Sequence, residues 1–111
     1  MVKSEVLDRT FAALSDPSRR DILDRLTRGP ASISELALAR GMSLPGVMKH
    51  VRILEAAGLV QSEKQGRTRE CQLGPRRLDD AKHWIDWYRQ EWERRLDRLE
   101  AHLASKKGTA T

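Results

Sequence analysis

The chain has 111 residues, enough for one domain with a real core but not for separate cofactor and catalytic domains. Its 21 Lys and Arg against 16 Asp and Glu give a net charge of +5 and a pI near 9.9, a balance that favours an acidic partner, nucleic acid ahead of an anionic membrane surface. Hydrophobic residues at 39% exclude a wholly disordered chain, and the single cysteine, Cys71, excludes an internal disulfide or a cysteine-only zinc site.

A first helix is predicted from Ser4 to Leu14, where Leu7, Phe11 and Leu14 fall on one stripe. Asp16 then caps a second helix that starts at Pro17, where a missing N–H does no harm, and runs to about Arg28. Ile22, Leu23 and Leu26 form its apolar face, and Gly29-Pro30 ends it. Ser32 and Glu35 make a capping box for a short third helix with Ile33, Leu36 and Ala37 on one face. After a turn at Gly41-Met42, Ser43 caps a fourth helix whose buried stripe is Val47, Val51 and Leu54, and Gly58 supplies its left-handed C-terminal turn. Leu59 to Lys64 and Thr68 to Leu73 have strand character around Gln65-Gly66-Arg67, a β-hairpin with Gly66 at positive φ. The last helix, Arg77 to Ser105, carries a stripe through Leu78, Ala81, Ile85, Tyr88, Trp92, Leu96, Leu99 and Leu103. Residues 106–111 are small and polar and are expected to be a disordered tail.

The expected fold is therefore mainly α with a small β-hairpin: a winged helix-turn-helix of five helices and a two-stranded wing. In that order the third helix braces the fourth, and the fourth enters a DNA major groove with its N-terminal half. At 100° per residue, Pro45, Lys49, Arg52 and Ala56 lie opposite the buried stripe, with Gly46 and Met48 on the flanks. Small residues permit close approach to base edges, and Lys49 and Arg52 suit phosphates or guanine. The wing adds Lys64, Arg67 and Arg69. Ser43, Leu44, Pro45, Gly46, Met48, Lys49, His50, Arg52, Lys64, Arg67 and Arg69 are the candidate DNA-binding residues.

The run Leu14-Ser15-Asp16-Pro17-Ser18-Arg19-Arg20-Asp21-Ile22-Leu23, then Ile33-Ser34-Glu35-Leu36-Ala37, then Ser43 to Val51, then Leu54-Glu55-Ala56-Ala57-Gly58-Leu59-Val60, resembles the ArsR family of bacterial winged-helix repressors from Glu5 to Leu103. The last helix, Trp84 to Leu99, resembles a subgroup that does not sense metals. The resemblance implies a homodimer, joined through its first and last helices, that represses by occupying a palindromic double-stranded operator. It implies Leu7 and Phe11 in that interface beside Ile85, Tyr88, Trp92, Leu96 and Leu99. Metal-sensing members carry a Cys-x-Cys element at the third helix, where this chain has Ser34 to Ala37, and His83 has no second histidine until His102. No metal ligand and no cofactor is expected, and release by a signal other than a metal follows. At Gly46 and Met48 the family more often has Ala and Ser.

The last helix also argues for a partner copy by its length, about 40 Å at 1.5 Å per residue. Its Trp84, Trp87, Tyr88 and Trp92 serve as core and dimer interface, or line a pocket for a small apolar effector, and the two uses can coexist. His50, His83 and His102 have packing, phosphate-contacting or solvated roles as their plainer uses, and Cys71 is either a small buried hydrophobe or a redox switch. The sequence has no phosphate-cradling glycine loop and no nucleophile arrangement readable from spacing, so no enzyme activity is expected. The N-terminal Met1-Val2-Lys3-Ser4-Glu5 lacks an apolar signal core and no membrane span is present, which points to a cytoplasmic protein. A protein-interaction module or a nonspecific architectural DNA binder on the same scaffold is the competing expectation.

Overall fold

The computed structural model describes residues 4–109, with side chains placed for 5–106. The chain runs α1 (Ser4–Leu14), α2 (Pro17–Leu26), β1 (Ala31–Ser32), α3 (Ile33–Arg40), α4 (Leu44–Ala56), β2 (Val60–Gln65), β3 (Thr68–Leu73) and α5 (Asp79–Thr109). It divides into two compact units, one up to Asp79 and the other formed by the remainder of α5.

The helix starts follow from side-chain caps. Asp16, Ser32 and Ser43 each have extended backbone and accept a hydrogen bond from the N–H three residues on, at Arg19, Glu35 and Gly46. The five helices and the wing appear in the predicted order, with α5 starting at Asp79, two residues after the predicted Arg77. The sheet has a third strand: Ala31 and Ser32 pair antiparallel with Cys71 and Glu70, giving the order β1-β3-β2. Two residues are too few to show a period, so the pairing leaves no mark on the sequence.

Ile22 of α2, Leu36 of α3 and Val47, Val51 and Leu54 of α4 are fully buried and meet Cys71 of β3 in one core. In α1 the inward face is rotated from the predicted stripe: Leu7, Thr10 and Ala13 are buried, whereas Phe11 is exposed. Small Ala13 and compact Thr10 allow close packing, and the bulkier Phe11 is left on the flank. The helix α2 stops at Leu26, two residues short of the expected end, where Thr27 caps it and Gly29 turns the chain at φ 131°.

After β3 the chain passes close under the end of α4. Gly74 donates to Leu59 O at 2.8 Å and Arg76 N donates to Gly58 O at 3.1 Å. A Cβ at Gly74 would sit 2.4 Å from Gly58 O and 2.9 Å from Val60 N, so only glycine fits. Leu78 then takes a left-handed φ of 66° while its side chain packs on the core, and α5 begins at Asp79. This helix extends four residues beyond the predicted end at Ser105, taking in Lys106 to Thr109 of the expected tail; Ala110 and Thr111 lie outside the described residues.

Candidate nucleic-acid interface

The exposed face of α4 is built by its cap and its buried stripe. With Val47, Val51 and Leu54 turned inward, Leu44, Pro45, Lys49, Arg52 and Ala56 are exposed. Gly46 and Met48 are partly covered, and Met48 packs against the core. Ser43 is exposed, and its Oγ accepts from Gly46 N at 3.1 Å.

The wing sorts its charges by face. The pairing of β2 with β3 sets Gln65 opposite Thr68, Lys64 opposite Arg69 and Glu63 opposite Glu70. Alternation then places Lys64 and Arg69 on the same face as buried Val60 and Cys71, and Glu63 and Glu70 on the other. Gly66 holds φ 65° at the tip, as the two-residue turn requires, and Thr68 Oγ1 donates to Gln65 O at 3.0 Å across it. Arg67 is exposed beside Gly66.

The predicted residues divide into two groups. Among the described residues none makes a hydrogen bond or ion pair with the side chains of Lys49, Arg52, Lys64 or Arg67. These four cations are therefore available to an external anion. Arg69 and His50 are engaged within the chain. Arg69 Nη1 donates to Ser62 Oγ at 3.0 Å, and Ser62 Oγ donates to Glu55 Oε1 at 3.0 Å, which ties the wing to α4. His50 Nδ1 lies 3.3 Å from Arg19 Nη1 and 3.9 Å from Asp16 Oδ2. A guanidinium can only donate, so Arg19 is the donor in this contact and Nδ1 the acceptor.

Arg19 is the residue that periodicity does not reveal. Its Nε donates to Ala13 O and its Nη2 to Ala12 O, both at 2.9 Å. Arg20 Nη1 donates to Leu14 O at 2.7 Å. The two arginines thus cover carbonyls at the end of α1, Ala12 O being shared with Ser15, and Arg19 reaches on to His50 of α4. The available signal is chemical: two cations directly after a helix stop, where the C-terminal dipole attracts positive charge. Asp16 is held below the usual carboxylate range by the hydrogen bond from Arg19 N, which outweighs the opposing effect of burial, with the Arg19 charge adding to the lowering.

Three other arginines of this unit are ion-paired, whereas the side chains of Arg9 and Arg77, like the four above, meet no partner among the described residues. Arg40 pairs with Asp21, Arg25 with Glu35 at 3.8 Å and Arg28 with Asp24 at 3.3 Å. Cys71 is fully buried and its thiol is pushed up to about 11, by desolvation first and then by Glu55. Such a thiol stays protonated and unreactive at neutral pH. Among the described residues no three His, Cys, Asp or Glu side chains group to hold a metal ion. No helix in that range is long and apolar enough to cross a membrane.

In α5, Ile85, Tyr88, Trp92, Leu96 and Leu99 are each 45–52% exposed. Trp84 stacks on Tyr88 with centroids 5.5 Å apart, and Tyr88 meets Trp92 edge-on at 6.4 Å. The charged positions pair along the same helix, Lys82 with Asp86, Arg89 with Glu93 and Arg94 with Glu91. Of the two α1 residues expected beside this stripe, Phe11 is exposed, whereas Leu7 is only 9% exposed. Leu7 points inward with Thr10 and Ala13, so its own chain already covers it.

A helix-turn-helix domain family matches residues 14–63, from the end of α1 into the wing. The chain is 37% identical to the HTH-type transcriptional regulator Rv2034 of Mycobacterium tuberculosis over 89 residues, 80% of each chain. It is 30% identical to the transcriptional repressor SdpR of Bacillus subtilis over 79 residues, 71% of this chain and 88% of that one. Its fold matches the crystal structure of the ArsR family transcriptional regulator RHA00566 with a TM-score of 0.77 and 41% identity, covering 83% of this chain and 95% of the other.

Proposed function

The chain belongs to the ArsR family of winged helix-turn-helix transcriptional regulators, and from that premise we propose that it is a homodimeric repressor that occupies a palindromic operator and is released by a signal other than a metal ion. The observation that carries the DNA-contacting part is the placement on one helix and the hairpin beside it of four cations whose side chains have no partner among the described residues, Lys49 and Arg52 on α4 and Lys64 and Arg67 on the wing, in a unit where Arg25, Arg28 and Arg40 are ion-paired. Unengaged cations give up no internal partner when they meet phosphates. Pro45, Gly46 and Met48 complete the groove-facing surface, with Ser43 setting the start of the helix. Arg69 and His50 hold the wing and α4 in place and meet DNA secondarily.

Dimerisation follows from α5. A 31-residue helix is about 46 Å long, and its half-exposed Ile85, Tyr88, Trp92, Leu96 and Leu99 gain most from apolar cover by a second copy, together with Phe11. A metal-independent signal fits Ser34, Glu35, Leu36 and Ala37 at the third helix, where metal-sensing members have thiolates. A reducing, cytoplasmic setting suits a regulator of this kind.

A gel shift with DNA from upstream of the chain's own coding region, at about 50 and 200 mM salt, tests the assignment. Tight, salt-sensitive binding that exceeds binding to unrelated duplex, and falls for Lys49→Ala, is expected. Equal binding to all duplexes would make the chain an architectural binder, and no binding would make it an interaction module. Sedimentation of the parent chain as a folded monomer at micromolar concentration would remove the dimer.

A further inference from the structure

The leading edge of α4 has an unusual chemical inventory. A helix normally presents several unpaired N–H groups at its start, which suit phosphates. Here Pro45 has none, and the N–H of Gly46 is taken by Ser43 Oγ at 3.1 Å. Pro45 and Gly46 also bring no polar side-chain atom. Leu44, by contrast, is 53% exposed at the first helical position. Leu44 and Met48 are four residues apart and share a row along the helix; Pro45 and Lys49 form the adjacent row. Met48 is anchored against the core while Leu44 is exposed. Beyond the Ser43 hydroxyl, which is engaged with Gly46 N, the first turn of the helix therefore offers carbon side chains, and its first cation comes one turn in, at Lys49.

A helix in the major groove contacts base edges with its N-terminal residues. Of the groups that bases display there, the C5-methyl of thymine is the apolar one; the others are hydrogen-bond donors or acceptors. An amino or carbonyl group pressed against leucine would lose water and gain no partner. Building on α4 as the groove helix, we propose that Leu44, with Pro45 beside it, reads the methyl group of a thymine in each half-site, and that this thymine lies next to the position met by Lys49. Leu44 is thereby a specificity-determining residue, and the operator half-site carries an obligatory methyl.

Deoxyuridine in place of thymine removes the methyl and leaves every hydrogen-bonding group unchanged. The site bound by the parent protein would be defined by footprinting, and each thymine replaced in turn. One thymine per half-site should cost about three- to fivefold in affinity on replacement, the size of one buried methyl group, and the others little. Leu44→Ala should bind the thymine site more weakly and lose the uridine effect at that position alone. Lys49→Ala, though weaker throughout, should keep the effect. Leu44 is exposed, so circular dichroism of Leu44→Ala should match the parent. Parent affinity unchanged by every uridine, or a uridine effect equal in Leu44→Ala and parent, would overturn the proposal. Failure of the parent to bind any duplex would instead overturn the DNA-binding assignment beneath it.

Discussion

Replacing Arg19 by alanine should be the most damaging change at any partly exposed position before the wing. The side chain joins three helices: it donates to Ala12 O and Ala13 O at the end of α1, rises from the first turn of α2, and donates to His50 Nδ1 of α4. Hydrogen bonds from a charged donor contribute about 1.5–3 kcal/mol each. Ala12 O also accepts from Ser15 N and Oγ, so little is lost there. Counting the part-buried bonds to Ala13 and His50 at about 1.5 kcal/mol each, the loss for Arg19→Ala is about 3 kcal/mol, a large share of the usual 5–15 kcal/mol for a domain. For a chain of this size it lowers Tm by about 10 °C. Arg19→Lys keeps the charge near the α1 terminus but not the planar fork, so it should fall between the two. Arg20→Ala loses a single exposed bond to Leu14 O and serves as the control, with less than about 1 kcal/mol expected. Urea unfolding at one fixed protein concentration reads all four proteins, since association shifts the midpoint. An Arg19→Ala midpoint equal to that of Arg20→Ala would refute the three-helix role.

Gly74→Ala should cost at least about 2 kcal/mol, because its Cβ meets the Gly58 carbonyl at 2.4 Å and backbone, not side chain, must give way; unchanged amide protection at Gly74 and Arg76 in this variant would contradict it. Asp16 has a folded pKa below its unfolded value, so its contribution is complete above about pH 5 and is lost as pH falls through 4. Asp16→Asn keeps a capping oxygen without the charge, and the stability gap between parent and variant should therefore narrow as pH falls below about 4; a constant gap would mean that the charge has no part. Cys71, buried and with its thiol near 11, should react with a thiol reagent at pH 8 only after urea unfolds the chain, and rapid native reaction would show the strand to be open.

Local chemistry explains which features were legible in the sequence. Asp16, Ser32 and Ser43 cap the helices that their residue types announce, and Gly41, Gly58 and Gly66 have the positive φ that ends helices and turns a hairpin. The buried stripe of α4 follows from a spacing of three and four. What stayed hidden depends on partners distant in sequence. Strand β1 exists because Ala31 meets Cys71, forty residues on. Arg19 finds His50 across 31 positions, and Arg69 turns to Ser62 and Glu55 when its charge alone suggests a phosphate. The exposed Phe11 shows the same limit, since periodicity marks a stripe but not which side of it is widest.

The two-sided wing bears on how fast and in what pose an encounter happens. Glu63 and Glu70 face each other across the strands, a like-charge pair that weakens the hairpin slightly. Their face repels a polyanion, while the opposite face, with Lys64, attracts it. A duplex drifting in from the carboxylate side is deflected, and one from the other side is drawn inward. The hairpin thus acts as a small dipole that exerts a torque before any contact forms. Exchanging Glu63 for glutamine would leave every groove contact intact and still change the proportion of productive collisions, an effect confined to the association rate and erased by salt.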